Sequence, residues 1–255
     1  MSDAAPPAGY VRVTAGRCAA VVLAPYVGDA RRLLADGSLH HAAARDLAAR
    51  PLMGRGVAYS IALPVSGVRV VVRHNRHGGL LAPLTRDLFL PPTRAPLELE
   101  IALRLRDLGV PTPEVLMYGT SPAPFPFQRA DVVTREIASA EDLSAYLSAD
   151  VSESRRRAAW AATRALVQTM NRAGVRHHDL NVKNVLIAES ADEISASLLD
   201  VDRVTFGAPA SAEVAAANAA RLLRSARKWR EERGASFDER ELEGLGALAT
   251  SGGGT

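Results

Sequence analysis

Lysine is nearly missing from this chain. Only Lys183 and Lys228 occur, and none precedes residue 183. Any anion gripped ahead of that point therefore meets a guanidinium, a planar fork that suits carboxylate and phosphate. Cysteine is scarcer still. The single Cys18 excludes an intrachain disulfide and a cysteine metal cluster, and beside Ala19-Ala20-Val21-Val22-Leu23 it reads as a small core residue. No apolar run is long enough to span a bilayer. Met1 to Tyr10 has neither the basic nor the apolar region of a signal peptide, so the expected compartment is the cytoplasm. The formal charge is a modest +3, and the arginine-rich segments lack aromatic interleaving, which argues against nucleic acid as a partner. No internal repeat is evident. The 255 residues suit one large domain or two modest lobes.

What is present is most informative at His177-His178-Asp179-Leu180-Asn181-Val182-Lys183-Asn184-Val185-Leu186-Ile187, followed by Leu198-Leu199-Asp200. The form is H-x-D-L-x-x-x-N, then an apolar strand, then a second apolar run ending in Asp. In phosphotransferases of this pattern the first Asp accepts the proton of the attacking hydroxyl, the Asn holds Mg²⁺, and the later Asp serves the other metal position. The bland alternative is a surface turn with Asp179 as a capping residue and Asn184 in a loop. It leaves the two apolar runs unexplained.

The rest of the chain divides into a strand-rich half and a helix-rich half. Apolar runs flanking Gly16 predict a hairpin over Tyr10 to Pro25, and residues 28–49 carry a helical pattern around Leu33, Leu34 and Leu47. Pro51 to Gly56 reads as a break. Val57–Leu63 and Val68–Arg73 predict a second hairpin around Pro64–Gly67. Residues 96–108 form a helix stopped by Gly109 and Pro111, with an apolar stripe expected at Leu97, Ile101, Leu105 and Leu108. Strands follow at Val115–Tyr118 and Asp131–Ile137, with a joint near 137–141. Helices follow at 141–148, 153–172 and 212–233. The predicted domains are an extension over 1–49 (disordered over 1–9), an N-lobe over 50–138, a C-lobe over 139–246 and a disordered tail over 247–255.

This order, with Gly54-Arg55-Gly56, Arg73-His74-Asn75-Arg76-His77-Gly78-Gly79, Leu108-Gly109-Val110-Pro111-Thr112-Pro113, Val133-Thr134-Arg135-Glu136-Ile137, His177-His178-Asp179 and Asp200-Val201-Asp202-Arg203, resembles the lipopolysaccharide core kinases. The Kdo (3-deoxy-D-manno-octulosonic acid) kinases are the nearest in pattern. The resemblance covers roughly residues 50–232 and rests most on Arg-His-x-Arg-x-Gly-Gly with Asp-x-Asp-Arg. It implies an α+β, bilobal protein-kinase-like fold with a strand-rich N-lobe and a helical C-lobe. It also implies ATP and Mg²⁺ as cofactors, and transfer to a sugar hydroxyl of the lipopolysaccharide inner core, most closely the 4-hydroxyl of Kdo on Kdo-lipid A. Competing readings are a kinase of another acceptor and a catalytically dead kinase-like binding module at a membrane; intact Asp179, Asn184 and Asp200 speak against the second.

The individual residues follow. Asp179 is the candidate base, and Asn184 and Asp200 are the candidate metal ligands, an all-oxygen set that suits Mg²⁺. His177 reads as holding the loop. Asp202 has two readings, a second metal or a pairing with Arg203 or another arginine, the latter favoured. Gly54 and Gly56 stand where a phosphate-cradling loop belongs, although a plain turn fits as well. Arg73 ends a strand where a protein kinase carries its lysine. Of two acidic residues on helix 96–108, Glu98 lies at the edge of the apolar stripe and is the expected partner of Arg73, whereas Glu100 faces solvent. The cluster Arg69, Arg73, His74, Arg76, His77 and Arg86 reads either as a site for an anionic acceptor, with His74, Arg76 and His77 as substrate-binding candidates, or as a solvated basic edge. Apolar Leu80–Leu84 and Leu88–Leu90, with Arg221, Arg224, Arg227, Lys228 and Arg230 near the end, point to an anionic membrane surface. The expected partners are thus ATP, an anionic glycolipid of the Kdo-lipid A type and a membrane. The expected location is peripheral, on the cytoplasmic face of the inner membrane.

Overall fold

The computed structural model describes residues 5–53, 56–75, 87–191, 193–233 and 238–249. Its contacts divide the chain into two compact units, residues 1–100 with 114–136, and residues 101–113 with 137–255.

The first unit is built on a seven-stranded antiparallel sheet. Its strands are β1 (Tyr10–Ala15), β2 (Cys18–Leu23), β3 (Arg50–Met53), β4 (Val57–Ala62), β5 (Arg69–His74), β6 (Val115–Pro122) and β7 (Gln128–Arg135). The spatial order is β1-β2-β6-β7-β5-β4-β3. Residues 10–49, read from the sequence as an extension, supply two strands of this sheet and two helices, α1 (Val27–Ala35) and α2 (Leu39–Arg45). The helices pack on the strands and bury Ala30, Leu33, Leu34, Leu39 and Ala43 with Val22, Ile61, Val70, Val72 and Met117. Gly37 and the Ser38 cap divide what the sequence presented as one helical stretch, and Leu47 lies beyond α2 fully exposed. The expected break at Pro51 is a strand instead. β3 is the outermost strand, and an edge tolerates a residue without an N–H.

Helix α3 (Ala95–Asp107) begins in the first unit and ends in the second. Its buried row is Ala95, Glu98, Leu99, Ala102 and Leu105 with Ile101, while Leu97 and Leu108 are exposed. The expected stripe is thus rotated, because alanines could take the tightly packed positions. Arg104 lays its guanidinium 3.8 Å from the centroid of Phe206.

The second unit carries β8 (Ala140–Asp142), α4 (Leu143–Ser148), α5 (Glu153–Arg172), β9 (Val175–His177), β10 (Val185–Glu189), β11 (Ile194–Leu198), β12 (Val204–Phe206), α6 (Ala212–Arg233) and α7 (Glu239–Gly246). Strands β11-β10-β8 make one antiparallel sheet, and β12-β9 make a two-stranded ribbon. Asp142 caps α4 and Ser152 caps α5. Gly174 ends α5 at φ +68°, where a Cβ would lie 2.5 Å from the carbonyl oxygen of Gly207; only glycine fits that turn into β9. A bidentate Arg156–Glu241 pair, with contacts of 2.7 and 2.8 Å, ties α5 to α7. Residues 247–249, expected in a disordered tail, form a 3-10 turn that buries Leu248.

Candidate active site

In the second unit the loop between β9 and β10 is organised by one buried imidazole. His177 is fully buried. Its Nδ1 accepts the Asp179 backbone N–H at 3.0 Å, so the proton sits on Nε2, which donates to the Leu199 carbonyl at 3.1 Å. One ring thus pins the residue that carries the candidate base and the residue just ahead of Asp200. Burial holds the His177 imidazole below its usual range, against the opposing fields of Asp200 and Asp179. A neutral ring is what this donor–acceptor pattern requires.

Two side chains close the loop on itself. Asn184 and Asn181 each donate an amide N–H to the Asp179 carbonyl at 2.8 Å. The Leu199 N–H donates to the Asn184 carbonyl at 2.9 Å. From the other side, Leu198 N–H donates to the Pro111 carbonyl at 2.8 Å, and the Thr112 hydroxyl donates to the Leu198 carbonyl at 2.9 Å. Asp179, Asn184 and Asp200 are therefore held in one small frame. Asp200 has φ 58° and ψ 46°, a left-handed conformation that costs a non-glycine residue about 1–3 kcal/mol and persists where surrounding contacts enforce it. Asp202 lies half-buried in the 3-10 turn Val201–Arg203.

The frame fits a hard cation. Asn184 spends its amide nitrogen on Asp179, so its oxygen is the end available to a metal, and Asp200 adds a carboxylate. Among the described residues no group of three or more His, Cys, Asp and Glu could hold a metal by itself. A sparse oxygen set completed by water and phosphate is the habit of Mg²⁺.

In the first unit, Arg73 at the end of β5 pairs through Nη2 with Glu98 on α3, the pairing expected from the sequence. The Glu98 side chain is 4% exposed and that of Arg73 is 30% exposed, so a buried carboxylate holds a guanidinium that still reaches solvent. Arg73 Nη1 also donates to Asn75 Oδ1 at 3.3 Å. Glu100 is exposed.

Of the basic cluster read around residues 69–86, Arg69, Arg73 and His74 are described. Arg69 donates to Glu136 at 3.1 Å. His74 binds Asp131 through Nδ1 and stacks on His40 with ring centroids 3.9 Å apart. Each described member has its own acidic partner, and Arg69 remains exposed beside Glu136. The His74 ring in particular is taken up inside the unit. Arg76, His77 and Arg86 lie outside the described residues, as do Gly54 and the Leu80–Leu84 run. Gly56 lies at a bend just before β4. Phe89, read as part of an apolar membrane-facing loop, is buried and bridges to Gln128.

Sequence reasoning missed Asn218. It lies fully buried on α6, accepts the His177 backbone N–H at 3.1 Å, and donates to the carbonyl of Val175 at 2.8 Å and to Asn171 Oδ1 at 3.0 Å. The available signal was a polar residue in the buried row Val214, Ala215, Ala219, Leu222 and Ala226.

Comparison with known proteins decides the family. The model of the lipopolysaccharide kinase (Kdo/WaaP) family matches residues 42–242. The chain belongs to that family. It is 29% identical over 197 residues to the 3-deoxy-D-manno-octulosonic acid kinase of Actinobacillus succinogenes, covering 75% of this chain and 80% of that one. It is 30% identical over 198 residues to the enzyme of the same name from Xylella fastidiosa, covering 75% and 74%. The solved structure "WaaP in complex with acyl carrier protein" superposes with a TM-score of 0.50 at 20% identity, over 79% of this chain and 78% of that one. The fold is thus α+β and protein-kinase-like, and the protein is a kinase of the lipopolysaccharide family.

Proposed function

We propose that this kinase uses ATP and Mg²⁺ to phosphorylate a sugar hydroxyl of the lipopolysaccharide inner core, the 4-hydroxyl of Kdo on Kdo-lipid A. The observation that carries the proposal is the single frame in which His177 and Asn184 hold Asp179 and the approach to Asp200. Relatives bearing the Kdo kinase name supply the acceptor class.

Each residue then has a task. The acceptor oxygen attacks the γ-phosphorus as the bond to the β,γ-bridging oxygen breaks, ADP leaves, and the hydroxyl proton passes to the Asp179 carboxylate. Asn184 and Asp200 would hold Mg²⁺, which neutralises phosphate charge when bound. Arg73, fixed by buried Glu98 and by Asn75, orients phosphate oxygens with a planar fork where most kinases use lysine. Among the described residues no helix is long and apolar enough to cross a membrane. A glycolipid acceptor is held in a bilayer, and to reach it we place the protein peripherally at the cytoplasmic face of the inner membrane.

The test is incubation of purified protein with Mg-ATP and Kdo-lipid A. The expected result is a mass gain of one phosphate on the acceptor, absent with Asp179→Ala. No gain, with Mg-ATP still raising the thermal midpoint, would discard this acceptor and keep the kinase.

A further inference from the structure

The cations of α6 that the sequence offered as one basic stretch, Arg221, Arg224, Arg227, Lys228 and Arg230, separate in the structure. Arg230 pairs with Glu239 at 2.8 Å, and the Lys228 ammonium lies 3.9 Å from Glu232. Arg221, Arg224 and Arg227 have no carboxylate partner among the described residues. Their positions on the helix differ. Three contacts define the face that α6 turns to the catalytic loop. Asn218 accepts from His177, Ser225 Oγ accepts the Val182 N–H at 3.2 Å, and the Trp229 ring lies 5.1 Å below the Lys183 ammonium. At about 100° per residue these positions fall on one line. Arg221 comes three residues after Asn218 and four before Ser225, so it stands beside that line, with Arg224 next on the same flank. Arg227 falls on the far side.

Two further observations single out Arg221. It is half-buried with no described carboxylate beside it, so an anion arriving there would meet a partly desolvated guanidinium. Its field also reaches the residue beside Asp179. His178 is held below the usual imidazole range by burial first, then by Arg176 and Arg221. Arg176 already pairs with Glu213 at 3.2 Å, and His178 Nε2 lies 2.8 Å from the Thr205 hydroxyl. Arg221 differs from the other cations of this rim without a described carboxylate, Lys183 and Arg203, in being half-buried where they are exposed.

We propose that Arg221, seconded by Arg224, forms a subsite on the catalytic-loop flank of α6 that recognises an anionic group of the acceptor, a carboxylate or phosphate. The proposal rests on the acceptor reading above and refines it. A membrane surface is the less favoured occupant. Its cations belong on an open, extended face, whereas Arg221 is half-buried beside the loop.

The experiment compares wild type, Arg221→Gln and Arg221→Gln/Arg224→Gln on Kdo-lipid A in neutral detergent micelles, and on the same acceptor with its Kdo carboxylate methyl-esterified. Expected is a rise of about ten- to a hundredfold in the acceptor KM of the variants on the charged acceptor. The KM for ATP and the thermal midpoint should hold, and the variants should discriminate less between acid and ester than wild type. If the ester shows no difference, the same comparison on acceptor lacking the lipid A phosphates decides for or against the second anion, and equal losses on every acceptor overturn the subsite. Unchanged acceptor KM overturns it too. A loss seen only on anionic vesicles, and not in neutral micelles, would assign the flank to membrane docking instead. If wild type transfers no phosphate to any of these, the acceptor reading falls on its own. The subsite is then judged by direct Kd for Kdo-lipid A micelles, and equal affinity in wild type and double variant contradicts it.

Discussion

The two units hold their charged groups by opposite means. In the second unit Asp179, Asn184 and Asp200 come from a stretch of 22 residues, and backbone groups hold them around a buried neutral imidazole. In the first unit Arg73 meets Glu98 across 25 positions of sequence, in an ion pair that a 3.3 Å contact from Arg73 to Asn75 supports. The first arrangement has many short constraints and little freedom. The second rests on an ion pair to a long side chain that remains 30% exposed. The difference predicts how each fails: the loop should break cooperatively, and the ion pair should degrade by degrees.

The largest effect short of removing the base is expected from His177→Ala. It deletes a fully buried ring and two hydrogen bonds at once, at a cost of about 3–5 kcal/mol in denaturant unfolding, with transfer activity lost alongside. A loss below about 1 kcal/mol would mean that the ring does not organise the loop. Asn218→Ala comes next. It strands the His177 N–H and the Val175 carbonyl, for about 2–3 kcal/mol, again with kcat falling before KM for ATP.

In the first unit Glu98→Gln should act mainly on nucleotide handling. The expected rise in KM for ATP is about tenfold, with stability lowered by about 1–2 kcal/mol because Arg73 can turn to solvent. Arg73→Lys should cost about threefold to tenfold, since it keeps the charge and loses the fork. If Glu98→Gln instead unfolded the protein as His177→Ala does, the contrast between the units would collapse.

The smallest effect is a pH dependence. Burial lowers the folded-state pKa of His177. Between that lowered value and about 6.5 the unfolded chain binds a proton that the folded chain refuses. Stability therefore rises with pH through this window, is fully present above it, and is lost progressively as pH falls. Chemical denaturation at several pH values, with His177→Ala as the flat control for this contribution, measures it.

The same contrast explains what could be read from sequence. The loop was legible because its parts are contiguous and its frame is local. Helices α5 and α6 were legible because Ser152, Gly174 and long periodic stretches mark them. Glu98 could be chosen over Glu100 by helical geometry, although the stripe used to choose it was rotated and ran through exposed Leu97 and Leu108. The strand at Arg50–Met53 was hidden by Pro51, which only an edge position permits. The acidic partners of Arg69 and His74, Glu136 and Asp131, were not legible because they lie 57 or more residues away in sequence. Pairing at that range leaves no local pattern. Asn218 escaped for a similar reason, since its partners sit on two other segments, α5 and β9.

The most direct test of the central claim is single-turnover transfer of the γ-phosphoryl of ATP by Asp179→Ala, with Mg-ATP affinity and thermal midpoint measured on the same sample. The account predicts a rate lower by about 10²–10⁴, the span expected for a lost general base, with affinity and midpoint close to wild type. Transfer within tenfold of wild type in a folded, nucleotide-binding variant would contradict it.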